Sequence, residues 1–486
     1  MSLNIEENNA TEMSTHFKNE LIRKNKVLIE AVRRCCSGDK SEIARAADVS
    51  WPTANNFLTS FTSKENNTDN LVIYSDDIYQ VNPVFGVFLG ISVGGQETKA
   101  TLLDFSLNTL SFENMQKYRI DNIFSELSRL DRIITKNYTK QMICYETKND
   151  LDYISHMCKS IIIKVLDVFS KTKKLKLLGI GITFPGIIGK KSLTISFCPN
   201  ISCLNGANLL CLFQGELMKR LEEQNISLCI AHDTAAITVF EKERLYKQNE
   251  YKNKENIVCL YMGIGLGLGV IINNQLLTGN NNSIGEIGHI PGPSIDLLKP
   301  EKLNVAPHDL SELEKKYIAD YKNFEKEKIS LDSTEACYCR VDNCMERLIR
   351  TNVFDSSTKK ELLTKISNEN DLKNFHIVHP FRYQILKFYL QYLFTIIINL
   401  FNPDLIILCG KALNSLEILK DDKYVIKQSS GIDMPASNCD IINGSNQPEC
   451  VASGAAMLAY YKLVESNGNN DEKGMQFDIK WSNLNI

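Results

Sequence analysis

From Val84 onward, short apolar runs with strand character alternate with longer runs of helical spacing. The strand-like runs are VFGVFLGISV, KATLLDF, LLGIGITF, LCIAH, IVCLYMGIG, GVIINNQLL and LIILCG. Helix-like runs lie between them, among them LDYISHMCKSIIIKVLDVFSK, LLCLFQGELMKRLEE, TAAITVFEKERLYK and RYQILKFYLQYLFTIIINLF, and ASGAAMLAYYKLV follows the last. A strand that is apolar along its whole length needs cover on both faces, and the intervening helices supply it, so this order predicts α/β layers. With 486 residues the chain exceeds one compact core, and two or three domains are expected. The charged stretch from about Ser294 to Glu335, containing SELEKKYIADYKNFEKEK, reads as an insertion.

Bulk properties exclude several classes. A net charge of −3, with 43% hydrophobic and 23% charged residues, is that of an ordinary soluble protein and does not mark the whole chain as a nucleic-acid binder. The longest apolar candidate for a membrane span, around Phe394 to Phe401, is too short and runs into Asn402-Pro403-Asp404. The acidic start MSLNIEENNATE is the opposite of a secretory signal. The 15 cysteines are an odd number scattered through apolar runs, which suits reduced thiols in a cytosol better than a disulfide framework. A cytoplasmic protein without a membrane segment is expected. The polar tail after Ser466 is expected to be loosely ordered.

Four stretches can carry chemistry. In GISVGGQETKATLLDF, a strand meets the pair Gly94-Gly95, where backbone N–H groups can close on an anion that a side chain would push away. A loop handling ATP with magnesium normally keeps a carboxylate nearby, and here Ser92 stands in that place. In CYCRVDNCME, Cys337, Cys339 and Cys344 fall within one loop, either as thiolates for zinc or as three of many cysteines close by chance. His289 in GEIGHI is the best fourth ligand, with Glu286 beside it. In LCIAHDTAAITVF, Asp233 follows a strand and opens a helix, either as a base that takes a proton from an attacking hydroxyl or simply as the helix cap. In MGIGLGLGVI, alternate glycines from Gly263 permit close approach to a phosphate, or mark a glycine-kinked strand.

The ordered set resembles the ROK family of sugar kinases and sugar-sensing repressors: a glycine-paired hairpin, LGIGITFPGIIG with PNI after it, an HD pair, GxGxGxG, GEIGH and CxC…CxE. The resemblance runs from about Val84 to Val464. It implies two actin-like (ribonuclease H-like) lobes, at 84–205 and 206–450, with a sugar in the cleft between them and the helix at 451–464 completing the first lobe. Glu286, His289 and Glu346 match positions that hold sugar hydroxyls, and Gly186, Asn200 and His232 line the site with Asp233, which matches the catalytic base of the kinases. His289, Cys337, Cys339 and Cys344 match ligands of a structural zinc ion.

The departures from the family pattern fall on the phosphate side. Ser92 stands where the kinases carry aspartate, Gln96 where they carry threonine, and Ile264, between Gly263 and Gly265, where they carry a threonine hydroxyl. Cys409 replaces a glycine on the adenosine side. His232 precedes the aspartate where kinases usually carry asparagine, as in the repressor branch, and Arg340 and Asn343 replace two glycines of the zinc loop. Phosphoryl transfer depends on electrostatic positioning, so these losses weaken the case for ATP and magnesium and favour a relic of a nucleotide site.

The first 83 residues resemble the winged helix-turn-helix of the repressor members. Basic residues Lys18, Arg23, Lys24, Lys26, Arg33, Arg34, Lys40, Arg45 and Lys64 outnumber Glu20, Glu30, Asp39, Glu42 and Asp48, a footprint for phosphate contacts. With Phe57, Leu58 and Phe61 turned inward, Thr53, Asn55, Asn56 and Thr59 are the candidates to face a DNA groove. Asp76 and Asp77 at the tip of the hairpin would repel phosphate, and a module for dimerisation or docking is the other reading. The expectation is a sugar-responsive transcriptional regulator, a repressor that binds a sugar or amino-sugar and acts on a DNA operator as a homo-oligomer, a dimer or tetramer. The rival is an ATP-dependent sugar kinase with Asp233 as its base.

Overall fold

The structure, a computed structural model, describes residues 14–35, 37–63, 68–172, 175–189, 192–248, 250–263, 265–279, 282–300, 311–330, 337, 339–341, 343–352, 379–410, 439–445 and 447–465 of the chain. Ile264, the tail after Ser466, and residues 301–310 and 331–336 of the charged stretch lie outside them. The chain forms two compact units, Met1–Ala236 with Val451–Ile486, and Ile237–Cys450.

The first unit begins with four helices, α1 (Thr15–Lys24), α2 (Lys26–Cys35), α3 (Lys40–Ala46) and α4 (Trp51–Phe61), and the strands β1 (Thr62–Ser63), β2 (Val72–Ser75) and β3 (Ile78–Val81). The stretch KNELIRKNKVLIEAVRR is divided between α1 and α2, because Asn25 stops α1: its N–H reaches the Leu21 and Ile22 carbonyls and its side chain donates to the Leu21 carbonyl at 2.9 Å. Asp48, with φ 51°, turns the chain between α3 and α4, and Ser50 caps α4 by accepting the Thr53 N–H at 3.3 Å. Asp76 and Asp77 take φ 50° and 60°, the pair of left-handed residues a two-residue hairpin turn needs. This module is anchored to the rest of its unit. Lys18 is fully buried, donating to the Thr68 and Phe85 carbonyls, and Asn19 donates to Asn225 at 2.7 Å.

There follow β4 (Val87–Val93), β5 (Glu97–Asp104), α5 (Phe112–Lys117), α6 (Ile123–Leu127), β6 (Thr135–Tyr138), β7 (Met142–Glu146), α7 (Leu151–Lys171), β8 (Leu177–Phe184), β9 (Ile187–Ile188), β10 (Ile195–Phe197), α8 (Glu216–Glu223), β11 (Ser227–His232) and α9 (Asp233–Lys247), of which only the first turn, to Ala236, belongs to this unit. Six of the strands form one sheet in the order β11-β8-β4-β5-β7-β6, parallel across β11, β8 and β4 and antiparallel beyond. β11 pairs with β8 from Ser227 opposite Gly179 to His232 opposite Phe184, so residues 206–236 belong to the first unit and the boundary expected at 205 falls after Ala236. Leu89, Ile91 and Val93 of β4 and Ile180 and Ile182 of β8 share a core with Ile154, Met157, Ile161 and Val165 of α7. Each such burial contributes about 1.5–3 kcal/mol, which is what seats α7 on the sheet.

The second unit contains β12 (Ile257–Met262), β13 (Leu266–Ile272), β14 (Gln275–Leu276), α10 (Glu312–Ser330), α11 (Met345–Asn352), α12 (Pro380–Phe401), β15 (Leu405–Cys409) and β16 (Asp440–Asn443). Its sheet runs β14-β13-β12-β15-β16, antiparallel on one side of β12 and parallel on the other. That is the order and polarity of β7-β5-β4-β8-β11 in the first unit, a repeat of topology that leaves no repeat in the sequence. The stretch expected as an insertion is part of this core where it is described: Tyr317, Tyr321 and Phe324 of α10 ring Phe381 of α12 at 5.2, 5.0 and 5.3 Å. Asp320 accepts the Phe381 and Arg382 N–H groups at 3.1 Å each, which starts α12. The apolar run expected to be too short for a membrane is a 22-residue helix, α12, long and apolar enough for one by length and composition. Ile385, Leu386, Tyr389, Leu390, Leu393, Phe394, Ile397 and Ile398 are all buried in the second core, and that burial is why the run is apolar.

The last described helix, α13 (Cys450–Glu465), returns to the first unit. It lies on the face of β4 and β8 opposite α7, against Gly90 and Gly181.

Candidate functional site

The donors of His289, Cys337, Cys339 and Cys344 all lie within 4.8 Å of one another, close enough to hold one metal ion. Three contacts between backbones bring them together: a bridge between Pro291 and Cys344, Gly292 N–H to the Asn343 carbonyl at 2.8 Å, and Met345 N–H to the Ile290 carbonyl at 2.9 Å. Arg340 and Asn343 adopt the left-handed conformation their positions require, with φ 59° and 54°. The His289 ring is held between two partners, Nδ1 lying 3.7 Å from the Cys337 sulfur and Nε2 3.6 Å from a Glu286 oxygen. A carboxylate on the far nitrogen orients a ligating imidazole and raises its basicity. Burial raises the Cys337 and Cys344 thiols above their ordinary range, a cost that a bound cation offsets by stabilising thiolates. Glu346, which follows Cys344 by two residues, opens α11, and one of its oxygens accepts the Leu266 N–H at 3.0 Å. Glu286, His289 and Glu346 are therefore near-neighbours of the thiol cluster within one unit.

In the first unit the aspartate at the start of α9 is not its cap. The His232 ring does that work, its Nδ1 accepting the Thr234 N–H at 3.2 Å and lying 2.7 Å from the Thr234 hydroxyl. The Asp233 carboxylate stays partly exposed, one oxygen 3.0 Å from His232 Nδ1. The N-terminal end of α9 favours its negative charge. Cys198 lies close by: burial pushes its thiol up to about 11, and the Asp233 charge adds to the rise. Gly186 has φ 91°, and a Cβ there would meet the Phe197 carbonyl at 2.2 Å, so this turn admits glycine alone. The loop carrying Asn200 is pinned by residues that sequence reasoning missed. Asn205 accepts the Cys198 N–H at 2.6 Å, and Asn149 bonds both the Ser202 hydroxyl, at 2.8 Å, and the Cys203 N–H, at 2.9 Å. Nothing local in the sequence links Asn149 to a loop more than fifty residues away.

One amide in each glycine loop is bound within the loop. Gly94 N–H donates to the Glu97 carbonyl and Gly263 N–H to the Gly265 carbonyl, both at 3.0 Å, so neither amide is offered to an anion. Gly95 and Gln96 complete the first turn, and the Gln96 carbonyl accepts the Thr147 N–H. Ser92 sits on β4 opposite Lys99 and Thr183. Cys409 is fully buried at the end of β15, and its sulfur lies 3.1 Å from where a Cβ on Gly444 would stand.

On α4, Thr53, Asn56 and Thr59 are exposed and Phe57 and Leu58 are buried. Asn55 is not free to read a groove: it is half-buried, and its side-chain oxygen accepts from Lys40 Nζ at 2.7 Å. Trp51, missed in the sequence, stands 52% exposed at the head of the same helix. The expected basic footprint is smaller than the count suggests. Lys18, Arg33 and Arg34 are buried, Arg33 and Arg34 on the Glu30 carboxylate at 2.6 and 3.2 Å.

The sequence model of the ROK family matches residues 132–462. The chain belongs to the ROK family. Among curated relatives of this ROK chain, the xylose repressor of Caldicellulosiruptor bescii is 30% identical over 162 residues, which is 32% of this chain and 37% of that protein. The transcriptional dual regulator NagC of Escherichia coli is 23% identical over 275 residues, 56% of each chain. The ROK chain thus spans between about a third and just over half the length of these relatives. A solved ROK family transcriptional regulator, described as a homolog of the E. coli MLC protein, superposes with a TM-score of 0.50 at 15% identity, covering 91% of this chain and 100% of that one, and shows a shared fold.

Proposed function

We propose that this ROK chain is a sugar-responsive transcriptional regulator. The observation that carries the reading is a helix-turn-helix module, with Thr53, Asn56 and Thr59 exposed on its last helix, joined in one chain to ROK units that keep sugar-type groups while the Gly94 and Gly263 amides are bound within their own loops. Glu286, His289 and Glu346 are the proposed hydroxyl-binding groups of the second unit. Gly186, Asn200, His232 and Asp233 are those of the first. Carboxylates suit this task because each accepts paired O–H donors. The names of two relatives, a xylose repressor and an N-acetylglucosamine repressor, suggest an aldose or an N-acetylhexosamine as the ligand.

The proposed metal is zinc, held by His289 and three thiolates, since a soft donor set of one imidazole and three thiolates fits it. When bound, zinc supplies fixed geometry for the loops carrying Glu286 and Glu346. The protein is proposed to work in the cytosol, where thiols stay reduced, and to bind two half-sites on DNA as a homo-oligomer. Ligand can alter DNA affinity only by binding one conformation of the protein more tightly than another.

A thermal-shift screen of D-xylose, D-glucose and N-acetyl-D-glucosamine, with and without magnesium and ATP, tests the reading. A binding sugar raises the melting point by mass action, and nucleotide is expected to add nothing. The kinase alternative draws on one observation, the partly exposed Asp233 carboxylate, which leaves the capping of α9 to His232. It predicts ADP release with one of these sugars, abolished in Asp233→Asn.

A further inference from the structure

Beneath the helix-turn-helix lies a buried charge cluster that the DNA and sugar assignments leave unexplained. Glu30 of α2 is 0% exposed. Its carboxylate accepts from Arg33 Nη2 at 2.6 Å, from Arg34 Nε at 3.2 Å, and from the Tyr460 hydroxyl of α13. Arg33 also donates to the Tyr461 hydroxyl at 3.0 Å, and its guanidinium lies 5.9 Å from the centre of the Tyr460 ring. Two helices far apart in sequence are therefore joined by a charge cluster, Glu30 with Arg33 and Arg34, that two tyrosines of α13 reach. An arrangement of this kind is sensitive to position, because removing Glu30 leaves buried arginine charge uncompensated away from water.

The other side of α13 has no cushion. A Cβ on Gly90 of β4 would lie 1.8 Å from the Ala452 carbonyl oxygen, and one on Gly181 of β8 would lie 1.7 Å from that of Ala455. Gly454 of α13 itself meets α9, where a Cβ would lie 2.0 Å from the Ala236 carbonyl. Ala236 is three residues after Asp233, in the first turn of that helix. At these three places backbone meets backbone, with no rotamer to absorb a displacement. The Tyr460 ring adds edge contacts to Phe88 at 5.5 Å and Phe105 at 5.8 Å.

We propose that α13 is a lever within the first unit, tying the start of α9 to the helix-turn-helix through the Glu30–Arg33–Tyr460–Tyr461 joint. A shift at the Asp233 end of α9 moves α13, and the joint carries the movement to α2 and so to α3 and α4. The four joint residues are positioning residues and touch neither proposed ligand. The joint stands on packing alone; its use in regulation rests on the proposed function.

The test needs neither the sugar nor the operator. Hydrogen–deuterium exchange is followed in the full-length protein, at α2 and α4, in wild type, Gly454→Ala, Tyr460→Phe/Tyr461→Phe, and the combination. Gly454→Ala forces α13 from α9, and it is expected to speed exchange several-fold in α2 and α4. With both tyrosine hydroxyls removed, the added methyl should change α4 no further. The proposal is overturned if Gly454→Ala leaves α2 and α4 unchanged, or alters them equally with the joint cut. Should Gly454→Ala not fold, calorimetry of Glu30→Gln and Tyr460→Phe decides. The lever predicts that the module unfolds in a separate transition at lower temperature, and a single unshifted transition rules it out. A protein that binds no DNA would defeat the regulator reading while leaving these outcomes intact.

Discussion

Arg340 shows what a single residue costs the metal loop. It holds φ 59°, a conformation that disfavours any side chain with a Cβ, and its N–H still closes the turn on the Cys337 carbonyl at 3.0 Å. Arg340→Gly should therefore stabilise the metal-loaded protein by about 1 kcal/mol in urea unfolding, and a loss of stability would show that the side chain makes a contact worth more than the strain. Asn205 is the opposite case, a residue whose single side-chain oxygen holds the Cys198 N–H. Asn205→Ala should cost about 1 kcal/mol and weaken sugar binding together, because the same loop carries Asn200. The metal donors were legible because thiols two and five residues apart announce themselves. Asn205 and Asn149 were not, because an asparagine reads as a loop residue until its partner is known. The tyrosines that close on Glu30 were equally silent, lying some 430 residues from it.

At the scale of elements, helix phase decided what counting residues left open. Asn55 and Asn56 are indistinguishable in the sequence, yet the phase of α4 turns one toward Lys40 and the other outward. Asn56→Ala should weaken binding to DNA selected by the wild-type protein by roughly tenfold or more, as expected for loss of a bidentate base contact, and Asn55→Ala should change it far less. Equal losses would place the groove on a different face. Trp51, at the exposed head of the helix, should be quenched on adding that DNA. The three buried cations also set the salt dependence. With Arg23, Lys24, Lys26, Lys40, Arg45 and Lys64 as the remaining candidates for phosphate contacts, log K against log salt should fall no more steeply than about −5 per module. A slope near about −8 would mean that Lys18, Arg33 and Arg34 reach DNA after all. The long helices and central strands were readable because burial on one or two faces imposes a period. The edge strand β6, with the sequence TKNY, was not, since three of its four residues face solvent and carry no pattern.

For the whole molecule, the α/β layers followed from alternation and the two actin-like lobes from the family resemblance, while the matched topology of the two sheets followed from neither, because hydrogen-bond order is a property of pairing and not of side chains. The boundary expected at 205 failed for the same reason: β11 declares its sheet only by pairing with β8. Metal belongs to this scale, since it is proposed to fix two loops of the second unit at once. Cys344→Ser, or removal of zinc by a chelator, should abolish the bound metal in elemental analysis and lower the melting midpoint by about 10 °C. An unchanged midpoint would make the cluster incidental. The central claim is that a sugar alters DNA binding with no phosphoryl transfer. The most direct measurement is the affinity of the full-length protein for duplex DNA selected from a random pool, titrated with D-xylose, D-glucose and N-acetyl-D-glucosamine in the presence of magnesium and ATP. A change of tenfold or so with one sugar, and no ADP formed, is the predicted result. Sugar-dependent ADP release from a protein that retains no DNA would contradict it.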